Sequence, residues 1–77
     1  MNNLTVLINE VEKVKKFVRI TTKYASNFDL KADRYVVDAK SIMGIYSMNL
    51  SKPLTLVVIG PEEEFEAIKN DLKEFII

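Results

Sequence analysis

The sequence predicts an α+β domain in which four short strands form one antiparallel sheet and three helices cover one of its faces. The length of 77 residues suits one domain, residues 1–77, and little more. Hydrophobic residues make up 48% of the chain, which is enough for a two-layer core. Short β-branched runs alternate with segments of helical periodicity in the order β-α-β-β-α-β-α.

The first strand and the first helix are predicted from the N-terminal third of the chain. Leu4–Ile8 is a β-branched run between asparagines, which is typical of a strand. Asn9 and Glu12 have the spacing of a capping box, which predicts that a helix begins after Asn9. Residues with helical spacing follow and predict about four turns with one core-facing side. They are Val11, Val14, Phe17, Val18, Thr21, Tyr24 and Ala25.

A strand, a turn, a second strand and a short helix are predicted next. The strands are Phe28–Lys31 and Tyr35–Asp38, and the turn between them is Ala32–Arg34. Because the turn lacks an Asn-Gly or Asp-Gly pair, the sequence does not fix its type. Ser41 is suited to cap a second helix over Ile42–Met48, since its hydroxyl can accept a backbone N–H from the first turn.

The last strand is predicted over Leu54–Ile59, the most apolar run of the chain. Gly60 and Pro61 end it, and Pro61 suits the first position of a third helix, where its missing N–H has no helical partner. Glu62–Glu64 follow at the positive end of the helix dipole, which favours negative charge. The predicted core face of this helix consists of Phe65, Ile68, Leu72 and either Phe75 or Ile76.

Composition argues against several function classes. Eleven basic and eleven acidic residues cancel, so the basic excess typical of nucleic-acid binding is missing. No apolar run reaches the roughly 20 residues of a membrane span, and no signal-peptide pattern is present, so we expect a cytoplasmic protein without a membrane partner. Without histidine or cysteine, and with scattered acids, the chain is expected to bind no metal or cofactor. The sequence contains no nucleophile–base pair and no glycine-rich phosphate motif, so we do not expect an enzyme.

Residues 39–48 carry a more specific pattern, AKSIMGIYSM. The stretch resembles the regulatory-serine segment of HPr, the histidine-containing phosphocarrier family of the bacterial sugar phosphotransferase system, whose pattern is close to K-S-I-M-G-[VI]-x-S-[LM]. Ala25–Phe28 is similar to the A-S-x-F of the same family, and the order of elements agrees over the whole chain. The resemblance implies an HPr-like open-faced β-sandwich with the sheet order first-fourth-second-third strand.

The chain departs from the family pattern at the phosphorylated residue. HPr proteins carry the phosphoryl group on a histidine of a G-x-H-A-R-P motif, just before or at the start of the first helix, and this chain contains no histidine. Counting back from the A-S-x-F match places the equivalent position at Val14, with Lys16 in place of the motif arginine. Glu10 and Glu12 add negative charge at the helix start, which repels a phosphate. We therefore expect no phosphocarrier role, because no other side chain supplies an imidazole nucleophile.

Ser41 has two compatible interpretations. As a helix N-cap it would stabilise the second helix by about 1 kcal/mol. The resemblance also implies that it is a regulatory phosphorylation site, and the backbone amides of the helix start would tolerate the added charge. A glycine inside a helix costs roughly 1 kcal/mol, so its presence at position 44 needs a reason. Two reasons are possible for Gly44, namely close packing on the sheet and close approach of a partner.

The helix after Ser41 has apolar residues on nearly all sides, so some of them are expected to face water. Exposed methionine and tyrosine are typical of protein-binding surfaces. The basic face of the first helix is either solvated or an electropositive docking strip. The predicted partner-binding residues are Lys16, Lys40, Ile42, Met43 and Tyr46.

Two functions remain open from the sequence. The first is a non-catalytic binding or regulatory module that docks a protein partner through the Ser41 helix. The resemblance implies that this partner is a phosphotransferase-system component or a regulator of carbon catabolism. The alternative is a small structural or homo-oligomerising domain, in which the same apolar residues pair two copies as a homodimer.

Overall fold

The computed structural model describes residues 2–77 and has the predicted order of elements, β-α-β-β-α-β-α. Four strands form one antiparallel sheet in the order β1-β4-β2-β3, as the family resemblance implied. The elements are β1 (Asn2–Val6), α1 (Val11–Thr21), β2 (Asn27–Ala32), β3 (Tyr35–Asp38), α2 (Ile42–Tyr46), β4 (Leu54–Ile59) and α3 (Glu62–Asp71).

A row of apolar side chains crosses the inner face of the sheet and fixes its register. The row consists of direct neighbours on β1, β4, β2 and β3: Leu4, Leu56, Leu30 and Val37. All three helices contribute buried residues to the core that packs on this face. Because side chains alternate along a strand, a slip of one residue would turn the whole row toward water.

The two long helices bury aromatic and aliphatic residues against this row. Phe17 of α1 and Phe75, which follows α3, meet edge to face with ring centroids 5.7 Å apart. The predicted face of α3 is confirmed, and Phe75 rather than Ile76 is its fully buried last member. α1 has 11 residues, about three turns rather than four. Ala25, at the end of the predicted stripe, lies beyond the helix and is exposed, and Val11, the first residue of the helix, is exposed as well.

The bounds of β1, β2 and α2 differ from the sequence prediction, and β2 covers Asn27–Ala32 rather than Phe28–Lys31, so Ala32 belongs to the strand and not to the turn. β1 covers Asn2–Val6 rather than Leu4–Ile8, because the Leu7 N–H donates to the Phe75 carbonyl at 2.8 Å instead of continuing the ladder with β4. α2 ends at Tyr46, before Met48.

The helix starts also differ from prediction in two places. The N-cap of α1 is Glu10 and not Asn9, and no side chain caps this helix, so the predicted capping box is wrong. Asn9 instead accepts a hydrogen bond from the Lys13 ammonium at 3.4 Å. Pro61 is the N-cap of α3 rather than its first residue.

Polar contacts fix the C-terminal end of α1, and the turn after it, to α3. The Tyr24 hydroxyl donates to the Asp71 carboxylate, which also lies 3.5 Å from the Lys23 ammonium. The backbone N–H of Ser26 donates to Glu64 at 2.9 Å, and the Ser26 hydroxyl donates to the same oxygen. The bond to Asp71, aided by burial, raises the pKa of Tyr24 to about 12. The bonds from Tyr24 and Ser26 hold the pKa of Asp71 and of Glu64, respectively, below the ordinary range.

Gly60 allows the last of these contacts. A Cβ at position 60 would lie 2.0 Å from the Ser26 hydroxyl oxygen and 3.3 Å from the Ser26 Cα. A larger residue would displace Ser26 and break its hydrogen bonds to Glu64, so the turn from β4 into α3 requires glycine at this position.

The β2–β3 turn contains the one residue with positive φ in the described chain, Asp33 at 52°. Ala32 and Tyr35 form the closing pair of the hairpin, so Asp33 and Arg34 are its two central residues. Positive φ at the first central position alone is the pattern of a type II′ turn, in which that position favours glycine.

Replacing Asp33 with glycine should stabilise the fold. The Asp33→Gly variant removes the steric cost of positive φ, and we expect a gain of about 0.5–1 kcal/mol in the free energy of unfolding, measured by urea denaturation. Asp33→Ala is the matched control, since alanine keeps the steric cost and loses the aspartate's tolerance of this conformation. An Asp33→Gly protein no more stable than Asp33→Ala would contradict the assignment.

The α1–α3 contacts should make stability depend on acid pH. Because the folded pKa values of Glu64 and Asp71 are lowered, their contribution is fully present above the unfolded values near 4 and is lost as the pH falls through the folded values. Glu64→Gln and Asp71→Asn should therefore unfold at lower urea concentration than the parent at pH 7, and the difference should shrink toward about pH 3. Glu66→Gln, at an exposed position of α3, is the control and should stay close to the parent at both pH values. A loss of stability in Glu66→Gln that equals the loss in the other variants at pH 7, and that also shrinks toward acid pH, would refute the prediction.

Candidate partner-binding site around Ser41

Ser41 begins α2 in the way the sequence predicts. Its hydroxyl accepts the N–H of Gly44 at 3.2 Å, and its carbonyl accepts the N–H of Ile45 at 3.0 Å. The segment before it is held by Asp38, whose carbonyl accepts the Ser41 N–H and whose carboxylate accepts the Lys40 N–H at 2.9 Å. Ser41 is half-buried in this arrangement. The N-cap prediction is confirmed.

Gly44 is needed for packing. A Cβ at this position would lie 3.3 Å from the Ser41 hydroxyl oxygen and 3.4 Å from the Val37 Cβ. The first distance is tighter than ordinary contacts, so the cap or the strand would have to shift by a few tenths of an ångström. The small residue lets α2 approach β3 closely while keeping its cap.

The apolar residues of α2 separate into a buried and an exposed set. Ile45 is fully buried, and Ile42 is half-buried against the core. Met43 and Tyr46 point outward, with 78% and 40% of their surface exposed. We call Ile42, Met43 and Tyr46 the α2 patch. Although α2 has apolar residues on nearly all sides, only one side packs against the core, and the other side faces water.

Lys40 lies next to the α2 patch, but its charge is already engaged. Its ammonium donates to the Tyr24 carbonyl at 2.8 Å and lies 5.6 Å from the centre of the Phe28 ring. The first contact satisfies a carbonyl just beyond the C-terminus of α1, where a cation is favourable, and the second is a cation–π contact. Lys40 therefore holds α1 and the start of α2 together, which sequence reasoning did not anticipate.

The charge of Lys16 is also engaged. Its ammonium lies 3.0 Å from a carboxylate oxygen of Glu74, in the segment after α3. Two other lysines of α1 lie near acids of the helix start, Lys13 at 3.9 Å from Glu10 and Lys15 at 3.7 Å from Glu12. These ion pairs reduce the positive potential of the helix face that was a candidate docking strip.

The start of α1 changes the position equivalent to the family's histidine. Val14, where counting along the sequence places it, is the fourth residue of α1 and fully buried. The residue just before the helix is the exposed Glu10, and the residue two positions later is Glu12 rather than Lys16. If the equivalent position lies just before the helix, as in the family motif, it falls at Glu10 rather than at Val14. The positive end of α1 then carries two carboxylates.

Other kinds of site are not evident in the described part of the chain. Residues 2–77 contain no group of three or more acids that could hold a metal ion. No helix in this range has the length and hydropathy needed to cross a bilayer. A cavity of about 350 Å³ lies beside the hairpin turn and the loop after α2, and none of the predicted site residues lines it. Its polar lining includes Lys31, Asp33, Asn49, Lys52 and Thr55.

The chain matches the family model described as "PTS HPr component phosphorylation site" over residues 11–77. The match includes all three helices and every strand except β1. Comparison with curated protein sequences gives no match.

Solved structures of this family share the fold. HPr-C-His from Thermoanaerobacter tengcongensis has a TM-score of 0.77 and 28% identity, and the match covers 96% of this chain and 93% of that one. Crh, the Bacillus subtilis catabolite repression containing protein, described as a dimer with a swapped domain, has a TM-score of 0.67 and 28% identity, with 96% and 87% covered. HPr from Bacillus anthracis, at 24% identity, shows the fold alone, with a TM-score of 0.68 and coverage of 92% and 93%.

The family model extends from the start of α1 to the last residue, and the strand order β1-β4-β2-β3 agrees with the matched structures. The KSIMG segment begins α2 in the described chain, capped by its serine. On these grounds, the chain belongs to the HPr family of the phosphotransferase system.

Proposed function

We propose that this chain is a non-catalytic, regulatory HPr-family protein that docks a protein partner through the α2 patch. One observation carries the proposal, namely that Met43 is 78% exposed on a helix whose other motif residues have structural roles. Ser41 caps the helix, Gly44 permits its approach to β3, and Ile45 fills the core. Packing does not account for Met43, whereas recognition by a partner would.

The chemistry of the α1 start supports a role without phosphoryl transfer. The chain contains no histidine, so it has no imidazole nitrogen to take a phosphoryl group from a donor. Glu10 and Glu12 occupy the end of α1 that would otherwise attract a phosphate. A fixed negative charge there stabilises the helix and discourages an incoming anion.

The partner we propose is a component of the phosphotransferase system or a regulator of carbon catabolism. The family model supports the first, and the description of Crh as a catabolite repression protein supports the second. The docking surface would have an apolar centre at Met43 and Tyr46. Such a centre suits a partner with a complementary apolar pocket.

Phosphorylation of Ser41 is the proposed switch. Phosphate oxygens can accept the Gly44 N–H that the hydroxyl accepts now, so α2 can keep its cap. The added charge would lie two residues from Met43, at the margin of the apolar patch. The phosphate would then strengthen docking to a basic partner surface and weaken docking to an apolar or acidic one.

Homo-oligomerisation through the same patch is the second candidate. It is favoured by the Crh structure, which is described as a dimer, although that dimer forms by swapping a domain. In this case the α2 patch would contact its own copy and would not be free for a different protein.

Ser41 should accept a phosphate from a bacterial HPr kinase. After incubation with the kinase and ATP, intact-protein mass spectrometry should show one added phosphate on the parent chain and none on Ser41→Ala. Ser47→Ala, which removes an exposed serine of the same segment, is the matched control and should still be modified. The switch is refuted if no phosphate is added, or if it persists in Ser41→Ala.

The substitution Met43→Glu should disrupt docking. In parallel pull-downs from the source cell, proteins retained by the parent chain and lost with Met43→Glu are the expected partners, and their affinity should fall at least about tenfold, as for a central contact residue. Ile77→Glu is the matched control, because Ile77 is 64% exposed and lies beside β1, at the opposite edge of the sheet from β3.

Light scattering on the same three proteins separates the two candidates. A parent chain that is monomeric with its patch free agrees with a different protein as partner. A tight homodimer that only Met43→Glu dissociates supports homo-oligomerisation. Equal retention of every bound protein by Met43→Glu and Ile77→Glu would contradict docking through the patch, and a monomeric parent chain would contradict homo-oligomerisation.

A further inference from the structure

The two edges of the sheet differ in how they are covered. At the C-terminal end of β1, the segment after α3 takes up backbone groups, since the Leu7 N–H donates to the Phe75 carbonyl at 2.8 Å and the Ile77 N–H donates to the Thr5 carbonyl at 3.0 Å. No residue of the described chain forms a ladder with the outer side of β3. β3 is therefore an open edge strand.

The backbone groups that β3 offers can be identified from its pairing with β2. The Ala39 N–H donates to the Phe28 carbonyl at 2.9 Å, and hydrogen bonding alternates along an antiparallel pair. Tyr35 and Val37 thus bond to β2, whereas the backbone groups of Val36 and Asp38 point away from it. The Asp38 carbonyl accepts the Ser41 N–H, which leaves the N–H and C=O of Val36 and the N–H of Asp38 directed outward.

The side chains of β3 leave this edge open. Proteins usually block an edge strand with proline, an inward charge, a lysine or a bulge. Apart from its short length of four residues, β3 carries no such device before its last residue, since it has the sequence YVVD and a continuous register with β2. Tyr35 is 65% and Val36 is 57% exposed.

The charges at the two ends of β3 are opposite. Arg34 precedes the strand and Asp38 ends it, and neither has an ion-pair partner among residues 2–77. Asp38 also lies directly across from Asp29 of β2, so two like charges meet at this end. Opposed carboxylates in a cross-strand pair are unfavourable unless a cation joins them.

We propose that two copies of this chain pair antiparallel through β3, with Val36 opposite Val36 on the two-fold axis. This register lets the two Val36 residues exchange both backbone hydrogen bonds and places Arg34 of each copy opposite Asp38 of the other. A register shifted by two residues also pairs the outward backbone groups but loses both charge pairs. A register shifted by one residue places outward backbone groups of one copy opposite residues whose N–H and C=O groups point toward β2 of the other copy. The partner is a second copy because one strand supplies both complementary ends.

The pairing joins the two sheets into one and keeps all helices on the same side. It differs from the swapped-domain dimer described for Crh, since no element is exchanged. Its backbone hydrogen bonds use the sheet edge, and none of them involves α2. The interface is a single short strand pair, so we expect weak, concentration-dependent association.

Sedimentation equilibrium of the full chain up to about 1 mM tests the proposal, a range that detects weak dimers. We expect a reversible monomer–dimer equilibrium that Arg34→Glu and Val36→Lys each weaken at least tenfold. Arg34→Glu combined with Asp38→Lys should restore association, since the charge pairs are reversed. Met43→Glu is the control and should associate like the parent, and circular dichroism verifies that each variant is folded.

A cysteine placed on the two-fold axis tests the register, because the chain contains no other cysteine. Hydrogen-bonded antiparallel pairs have Cα atoms about 5.5 Å apart, within the range of a disulfide. Val36→Cys should form a covalent dimer under a mild oxidant, and the exposed Met43→Cys should not.

Three results would overturn the proposal. The first is a monomer at about 1 mM. The second is a dimer that Arg34→Glu and Val36→Lys leave intact. The third is a dimer that only Met43→Glu dissociates, which would place the interface on the α2 patch instead.

Discussion

The burial of one face of the sheet is the constraint on which the rest of the structure depends. The row formed by Leu4, Leu56, Leu30 and Val37 faces the helices, and no disulfide or metal ligand set supplements it in the described chain. A domain of this size has little stability to spare, so a single register must satisfy the whole row. The exposure of Met43 follows from this constraint, because the position of Val37 determines how α2 lies on β3.

The sequence predicted elements whose signals are local. The bounds of β3 and β4 agree with prediction because each is a continuous β-rich run between turn residues. The Ser41 cap agrees because its bond to Gly44 spans only three residues. The end of β1 was misplaced, since it is set by Phe75, far along the chain.

The candidate site was only partly accessible to sequence reasoning for the same reason. A helix with apolar residues on nearly all sides does not reveal which side will pack, and the sheet decides that Ile45 is buried and Met43 is not. Lys16 and Glu74 are 58 residues apart in sequence, so their ion pair could not be anticipated. Lys40 looked like a free charge beside the serine, yet it binds the Tyr24 carbonyl after α1.

The position of β4 has a consequence for how the protein acquires its fold during synthesis. β4 is the last strand in the chain but lies between β1 and β2, so β1 has no strand neighbour until residues 54–59 have left the ribosome. A nascent chain can form α1 and the β2–β3 hairpin early, yet it cannot close the sheet. Completion of the core is therefore a late event, and the exposed apolar row of a partly translated chain is the state that a chaperone would meet.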